Sequence, residues 1–118
     1  MSKFKIILVK SAGTVHCSSS DDGQHVYELI NEQLKQGHEV EISFAGVEDL
    51  TTAFLNSAIG QLYKDYSEED LKARMNVSNY EQDDLVILKR VVDRAKGFFK
   101  DPDLHKGATD EALGGKDE

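Results

Sequence analysis

Apolar positions recur along this chain with two periods, near two and near 3.6, and each change of period marks a new element. Lys3 to Lys10 carries Phe4, Ile6 and Leu8 on one face and Ile7 and Val9 on the other. Apolar residues on both faces predict a strand buried on both sides, central in its sheet. Ser11-Ala12-Gly13 breaks it, and Thr14 to Cys17 offers a short second strand. A helix starts within Ser18 to Asp22, where Asp21 and Gln24 have capping-box spacing. Val26, Leu29, Ile30 and Leu34 form its apolar stripe, and Gly37 is its natural stop. His38 to Phe44 alternates with period two, which predicts a strand with Ile42 and Phe44 pointing inward and Glu41 on a wetter face.

After a short loop, Ala45 to Leu50, a second helix is expected from about Thr52 to Tyr66. Its buried face is Leu55, Ala58, Ile59, Leu62 and Tyr66, and Gly60 within it predicts close packing on a neighbour. Ser67-Glu68-Glu69-Asp70 opens a short third helix, and Met75 to Ser78 supplies another strand. Asn79 with Gln82 caps the last and longest helix, which ends before Asp101-Pro102. Its acids Glu81, Asp83 and Asp84 come early and Lys89, Arg90, Arg94, Lys96 and Lys100 late, as the helix macrodipole favours. Its stripe of Leu85, Leu88, Val92, Ala95 and Phe99 reads chiefly as core packing, with a homodimer seam as the second use. Val86, Ile87, Val91 and Phe98 are left as a contact patch. Alternating strands and helices of this kind predict an α/β fold, a sheet with helices mainly on one face.

Composition adds the boundaries. The chain has 118 residues, of which 39% are hydrophobic, enough for one domain around one core. Residues 103–118 hold five acids and two bases and take −3 of the net −8, leaving −5 for residues 1–102. A segment with so little to bury cannot offset its ordering entropy, so residues 1–100 are expected to form the domain and 101–118 a disordered acidic tail. The acidic balance disfavours nonspecific nucleic-acid binding and anionic membrane surfaces. The single cysteine, Cys17, rules out an internal disulfide and suits a reducing cytosol. The run Ile6-Ile7-Leu8-Val9 is too short for a leader or a membrane span, so a cytoplasmic location is expected.

Motifs for chemistry are sparse. Neither a dinucleotide-type nor a P-loop glycine pattern occurs. Ser18-Ser19-Ser20 precedes a helix and reads as capping rather than as a phosphate site. The histidines at 16, 25, 38 and 105 lack metal-ligand spacing. A small enzyme would need a set assembled from His16, Cys17, Ser18–Ser20 and His25, and nothing in the sequence fixes their geometry. No catalytic residue, metal or cofactor is therefore expected. Thr51-Thr52, between a strand and a helix, lies where such folds often place functional groups, and also where a helix needs a cap.

Read in order, Ser43-Phe44-Ala45-Gly46-Val47, the run Thr51-Thr52-Ala53-Phe54, the later Gly60-x-Leu62-Tyr63 and the Asn79-to-Val92 stretch resemble the STAS superfamily (sulfate transporter and anti-sigma-factor antagonist domains). The likeness is closest to its small STAS-like bacterial branch and covers roughly residues 3–98. It implies a mixed β-sheet, here of about four strands, with helices mainly on one face. It also implies a non-enzymatic module that works through protein–protein contacts in intracellular signalling. In anti-sigma-factor antagonists a partner kinase phosphorylates a Ser at the start of the helix after the third strand. The matching position here is Thr52, with Thr51 where those proteins usually carry an Asp.

The resulting expectation is a non-catalytic regulatory module resembling anti-sigma-factor antagonists, binding another protein such as a kinase or an anti-sigma-like regulator. The contact surface is expected on the loop Gly46–Thr52 and the first half of the next helix, through Glu48, Asp49, Thr51, Thr52 and Asn56. With −5 on the folded part, the partner should present a basic or mixed surface. The alternatives are a small-ligand or nucleotide sensor using the same edge, and a small enzyme built around His16, Cys17 and Ser18–Ser20.

Overall fold

The computed structural model describes residues 2–100; the expected acidic tail, 101–118, lies outside the described residues. The elements follow as β1 (Lys3–Ile7), α1 (Leu8–Ala12), β2 (His16–Cys17), α2 (Ser20–Lys35), β3 (Glu39–Ser43) and β4 (Asp49–Leu50). Then come α3 (Thr52–Leu55), a π-turn (Asn56–Gly60), α4 (Leu62–Asp65), α5 (Glu68–Arg74), β5 (Met75–Ser78) and α6 (Gln82–Lys100). The expected first strand is therefore cut short at Ile7. Its apolar run is too brief to fix a period, and Leu8, fully buried, begins a helical turn that ends at Gly13 in the left-handed region.

Strands β1, β3 and β5 form one sheet in the order β1-β3-β5, and β2 pairs with β4 in a separate two-stranded sheet. Every pairing is parallel, because each return to the sheet runs through helices. The single mixed sheet of about four strands is thus replaced by two parallel sheets of three and two strands. The central strand is β3, and β1 lies at the edge of its sheet, which leaves Phe4 42% exposed. Cross-strand rows explain the two faces. Ile6, Ile42 and Val77 share one row, while Lys5, Glu41 and Asn76 share a row on the opposite face. On the polar face Glu41 accepts from the Ser78 hydroxyl at 2.6 Å and faces Lys3 at 3.9 Å. The apolar face is buried with Val26, Ile30 and Leu34 of α2 and Leu71 of α5. Ile42 and Phe44, at 0% and 2% exposure, point inward as their alternation predicts.

Helix ends show where local signals compete. α2 is capped by Ser19, whose hydroxyl accepts from the Asp22 amide at 3.1 Å, two residues before the expected Asp21. For α6, Asn79 is not the cap. It adopts a left-handed conformation with φ 55° and donates its side-chain amide to the buried Ser43 hydroxyl at 3.0 Å. The Glu81 amide instead donates to the Asp84 carboxylate at 2.9 Å. Ser67 caps α5 as expected.

The second helix is interrupted. A π-turn replaces its middle, with the Gln61 amide bonded five residues back to the Asn56 carbonyl at 3.1 Å. Tyr66 falls outside it, extended, its hydroxyl donating to Asn31 of α2 at 2.6 Å. Residues 52–65 lie between α2 and α6. Against α2 the approach is backbone-close: a Cβ on Gly23 would stand 2.4 Å from the Phe54 carbonyl oxygen and 2.9 Å from Ser57 Cβ. Against α6 it is ordinary packing, with a Cβ on Gly60 standing 3.6 Å from Val91 and 3.8 Å from Ala95. The buried line of α6 runs through Val91 and Ala95, so Val91 belongs to the core rather than to a contact patch. Val86 and Phe98 are the exposed pair, at 49% and 52%. α6 packs chiefly on residues 52–65, not on the sheet.

Candidate functional site

Pairing of β2 with β4 sets His16 beside Asp49 and Cys17 beside Leu50. Two stretches that are far apart in sequence, residues 16–20 and 48–52, become neighbours. The His16 imidazole bonds the Asp49 carboxylate at the exposed surface. The Glu48 amide donates to the Val15 carbonyl at 2.9 Å, and Glu48 itself is exposed.

Thr51 is the latch of this arrangement. Its amide donates to the Cys17 carbonyl at 3.2 Å and its hydroxyl donates to the Ser18 carbonyl at 2.8 Å. The same oxygen accepts from the Phe54 amide at 3.2 Å, which caps α3. Thr52 is left exposed, and its side chain makes no hydrogen bond among the described residues. The cap and the free hydroxyl thus belong to different threonines.

Thr52 and Asn56 open onto α6. With Arg90, Val91 and Arg94 they line a hollow of about 210 Å³. A second hollow of about 250 Å³, lined by Asn56, Gly60, Gln61, Arg94, Ala95 and Phe98, adjoins it through Asn56 and Arg94. The expected contact surface is therefore divided. Glu48 and Asp49 lie on the β2–β4 side, Thr52 and Asn56 lie on the α6 side, and Thr51 ties the two together from within.

Arg90 and Arg94 are the residues that sequence reading left out of the site. Their charge was accounted for by the α6 macrodipole. A second signal was available, since like charges four apart on a helix repel rather than support it. Lys89 and Lys96 approach Asp93 at 3.5 and 3.8 Å, whereas Arg90 and Arg94 form no ion pair among the described residues.

The groups considered for catalysis have other surroundings. Cys17 is fully buried, and burial, aided by the charges of Asp22 and Asp84, pushes its thiol up to about 11. A thiol held neutral at pH 7 is a poor nucleophile and a poor metal ligand. Ser19 is engaged as the α2 cap. His25 is exposed on α2, and His38 bonds Gln33 at 2.7 Å; His105 lies outside the described residues. No cluster of three or more His, Cys, Asp or Glu side chains that could hold a metal occurs among the described residues. No helix among them is long and apolar enough to cross a membrane.

Comparison with known proteins gives one finding. A family model described as a STAS-like domain of unknown function matches residues 22–85, just over half of the chain, from the first turn of α2 into the start of α6. The match takes in Glu48, Asp49, Thr51, Thr52 and Asn56, and stops short of Arg90 and Arg94. No curated protein and no solved structure matches the chain.

Proposed function

This chain belongs to the family of STAS-like domains of unknown function, and we propose that it is a non-catalytic regulatory module of intracellular signalling that binds another protein. The contact surface runs from Glu48 and Asp49 across the start of α3 to Thr52 and Asn56. One observation carries this reading: Thr51 takes the structural work of the strand-to-helix turn, which leaves the Thr52 hydroxyl exposed and uncommitted at its crest. A partner that fits presents a mixed surface, with basic groups toward Glu48 and Asp49 and an acidic group toward Arg90 and Arg94. Thr52 is also the position at which a partner kinase would act, as the likeness to anti-sigma-factor antagonists implies. A phosphate there adds about −1.5 to −2 charge at neutral pH, and Arg90 and Arg94 line the same hollow.

Pull-down from native lysate identifies the partner, and isothermal titration of Thr52→Glu against it tests the surface. The variant should keep its melting temperature, since the cap is Thr51, and should bind the partner more weakly. Thr52→Ala should keep most binding. Unchanged affinity in Thr52→Glu would remove this edge from the interface.

A further inference from the structure

The two hollows beside α6 adjoin through Asn56 and Arg94 and have unlike linings; together they make up a trough. At one end stand two guanidiniums, Arg90 and Arg94, with the Thr52 hydroxyl and the Asn56 carboxamide. At the other, the absent side chain of Gly60 leaves a shelf bounded by Ala95 and the half-exposed Phe98. Val91, only 3% exposed, belongs to the lining of the cationic end. The arginines repel each other along the helix and have no described acid to neutralise them. A cationic end adjoining an apolar shelf is complementary to an amphiphilic anion.

We propose that this trough binds a small organic phosphate monoester, with its oxyanion against Arg90 and Arg94 and its apolar body over Gly60, Ala95 and Phe98. Guanidinium forks match phosphate oxygens in paired hydrogen bonds, and two of them suit a dianion better than the single charge of a carboxylate. The chain's net charge of −8 opposes the approach of any anion. Affinity must therefore come from these local contacts and not from the overall field. The trough shares Thr52, Asn56, Arg90 and Arg94 with the proposed partner surface but not Glu48 or Asp49, so binding of a small ligand is tested without the partner and does not depend on that reading.

The test is an amide-resolved NMR titration of the full chain with phenyl phosphate, and with inorganic phosphate and phenol as its two halves. Saturable shifts should centre on Thr52, Asn56, Gly60 and residues 90–98, with phenyl phosphate binding more tightly than either half. The double variant Arg90→Gln/Arg94→Gln, both exposed positions, should weaken binding about tenfold or more with its circular dichroism unchanged. Thr52→Glu, which places a carboxylate at the cationic end, should also weaken it, and decides the matter alone if the double variant loses helix. Phenyl phosphate that binds no better than inorganic phosphate, or equally well to these variants, would overturn the proposal. A phosphotyrosine peptide binding more than tenfold tighter than phenyl phosphate would overturn it too, by assigning the site to a protein.

Discussion

Replacing Gly23 with Ala sets two effects of opposite sign against each other, and the geometry decides which wins. Ala is favoured over Gly inside a helix by about 1 kcal/mol, so on an open face of α2 the change would stabilise. At Gly23 the new Cβ would stand 2.4 Å from the Phe54 carbonyl oxygen and 2.9 Å from Ser57 Cβ. A normal carbon–oxygen contact needs roughly 1 Å more, and backbone oxygen cannot rotate away as a side chain can. The methyl must therefore push α2 off residues 54–58, where Phe54, Leu55 and Ala58 are fully buried. Overpacking of this kind costs about 1–3 kcal/mol, and a displaced helix pair belongs at or above the top of that range. After the propensity gain, a net loss of about 2 kcal/mol is expected. Gly60→Ala is the internal control. Its Cβ meets nothing closer than the Asn56 side-chain oxygen at 3.4 Å, so it should be neutral or stabilising by up to about 1 kcal/mol. Urea unfolding followed by circular dichroism reads both, provided the slopes match. A Gly23→Ala protein as stable as the wild type would refute the close approach of α2 to residues 54–57.

Other consequences are equally direct. Phe44→Ala, at a 2% exposed position, should cost roughly 3–5 kcal/mol by leaving a cavity, and far more than Glu41→Ala on the polar face; equal losses in urea titrations would contradict the two-faced sheet. Thr51→Ala should cost on the order of 1 kcal/mol as a lost helix cap, and Thr52→Ala much less, which comparison of the two melting temperatures checks. Cys17 ionises at about 11 when folded against an ordinary 9.0, so the unfolded chain loses its proton first and stability should fall as pH rises between those values. The fall should be shallower in Cys17→Val, and a disulfide reagent should label Cys17 at neutral pH only as fast as the protein opens.

Long, periodic segments were legible in the sequence. β3 lies within a residue of its expected bounds, and α2 and α6 were expected where they stand, because each carries enough apolar positions to fix its period; the short α5 was legible from its start signal, Ser67 to Asp70, instead. What failed was short or tertiary. β2 and β4 have two residues each, too few for a period, so their separation into a second sheet could not be read. The run Ser18-Ser19-Ser20-Asp21-Asp22 offers five residues able to cap a helix, and sequence alone does not choose among them. The π-turn and the role of Gly23 depend on what α2 and α6 bring alongside, and no local signal carries that. At the site, the position of Thr51 and Thr52 was legible. The division of labour between them was not, since it turns on the Ser18 carbonyl 33 residues away.

The way residues 52–65 are held gives the two halves of the site different mechanical characters. Thr52 and Asn56 stand on a segment placed between α2 and α6, with Gly23 admitting a close backbone approach on one side and ordinary packing against α6 on the other. Their position relative to Arg90 and Arg94 is set by packed helices, which suits a preorganised binding trough. Asp49 opens a two-residue strand and Glu48 precedes it; the pair is held by the Glu48 amide on Val15, by the pairing to β2, by the exposed His16–Asp49 contact and by Thr51. Such a short ladder opens locally at low cost. Loss of the Thr51 hydroxyl should therefore loosen the Glu48–Asp49 side more than the trough, because the buried side chains of Phe54, Leu55 and Ile59 still hold α3 in place when its cap bond to the Phe54 amide is gone. A partner that reads both halves would be sensitive to Thr51, and a ligand confined to the trough less so.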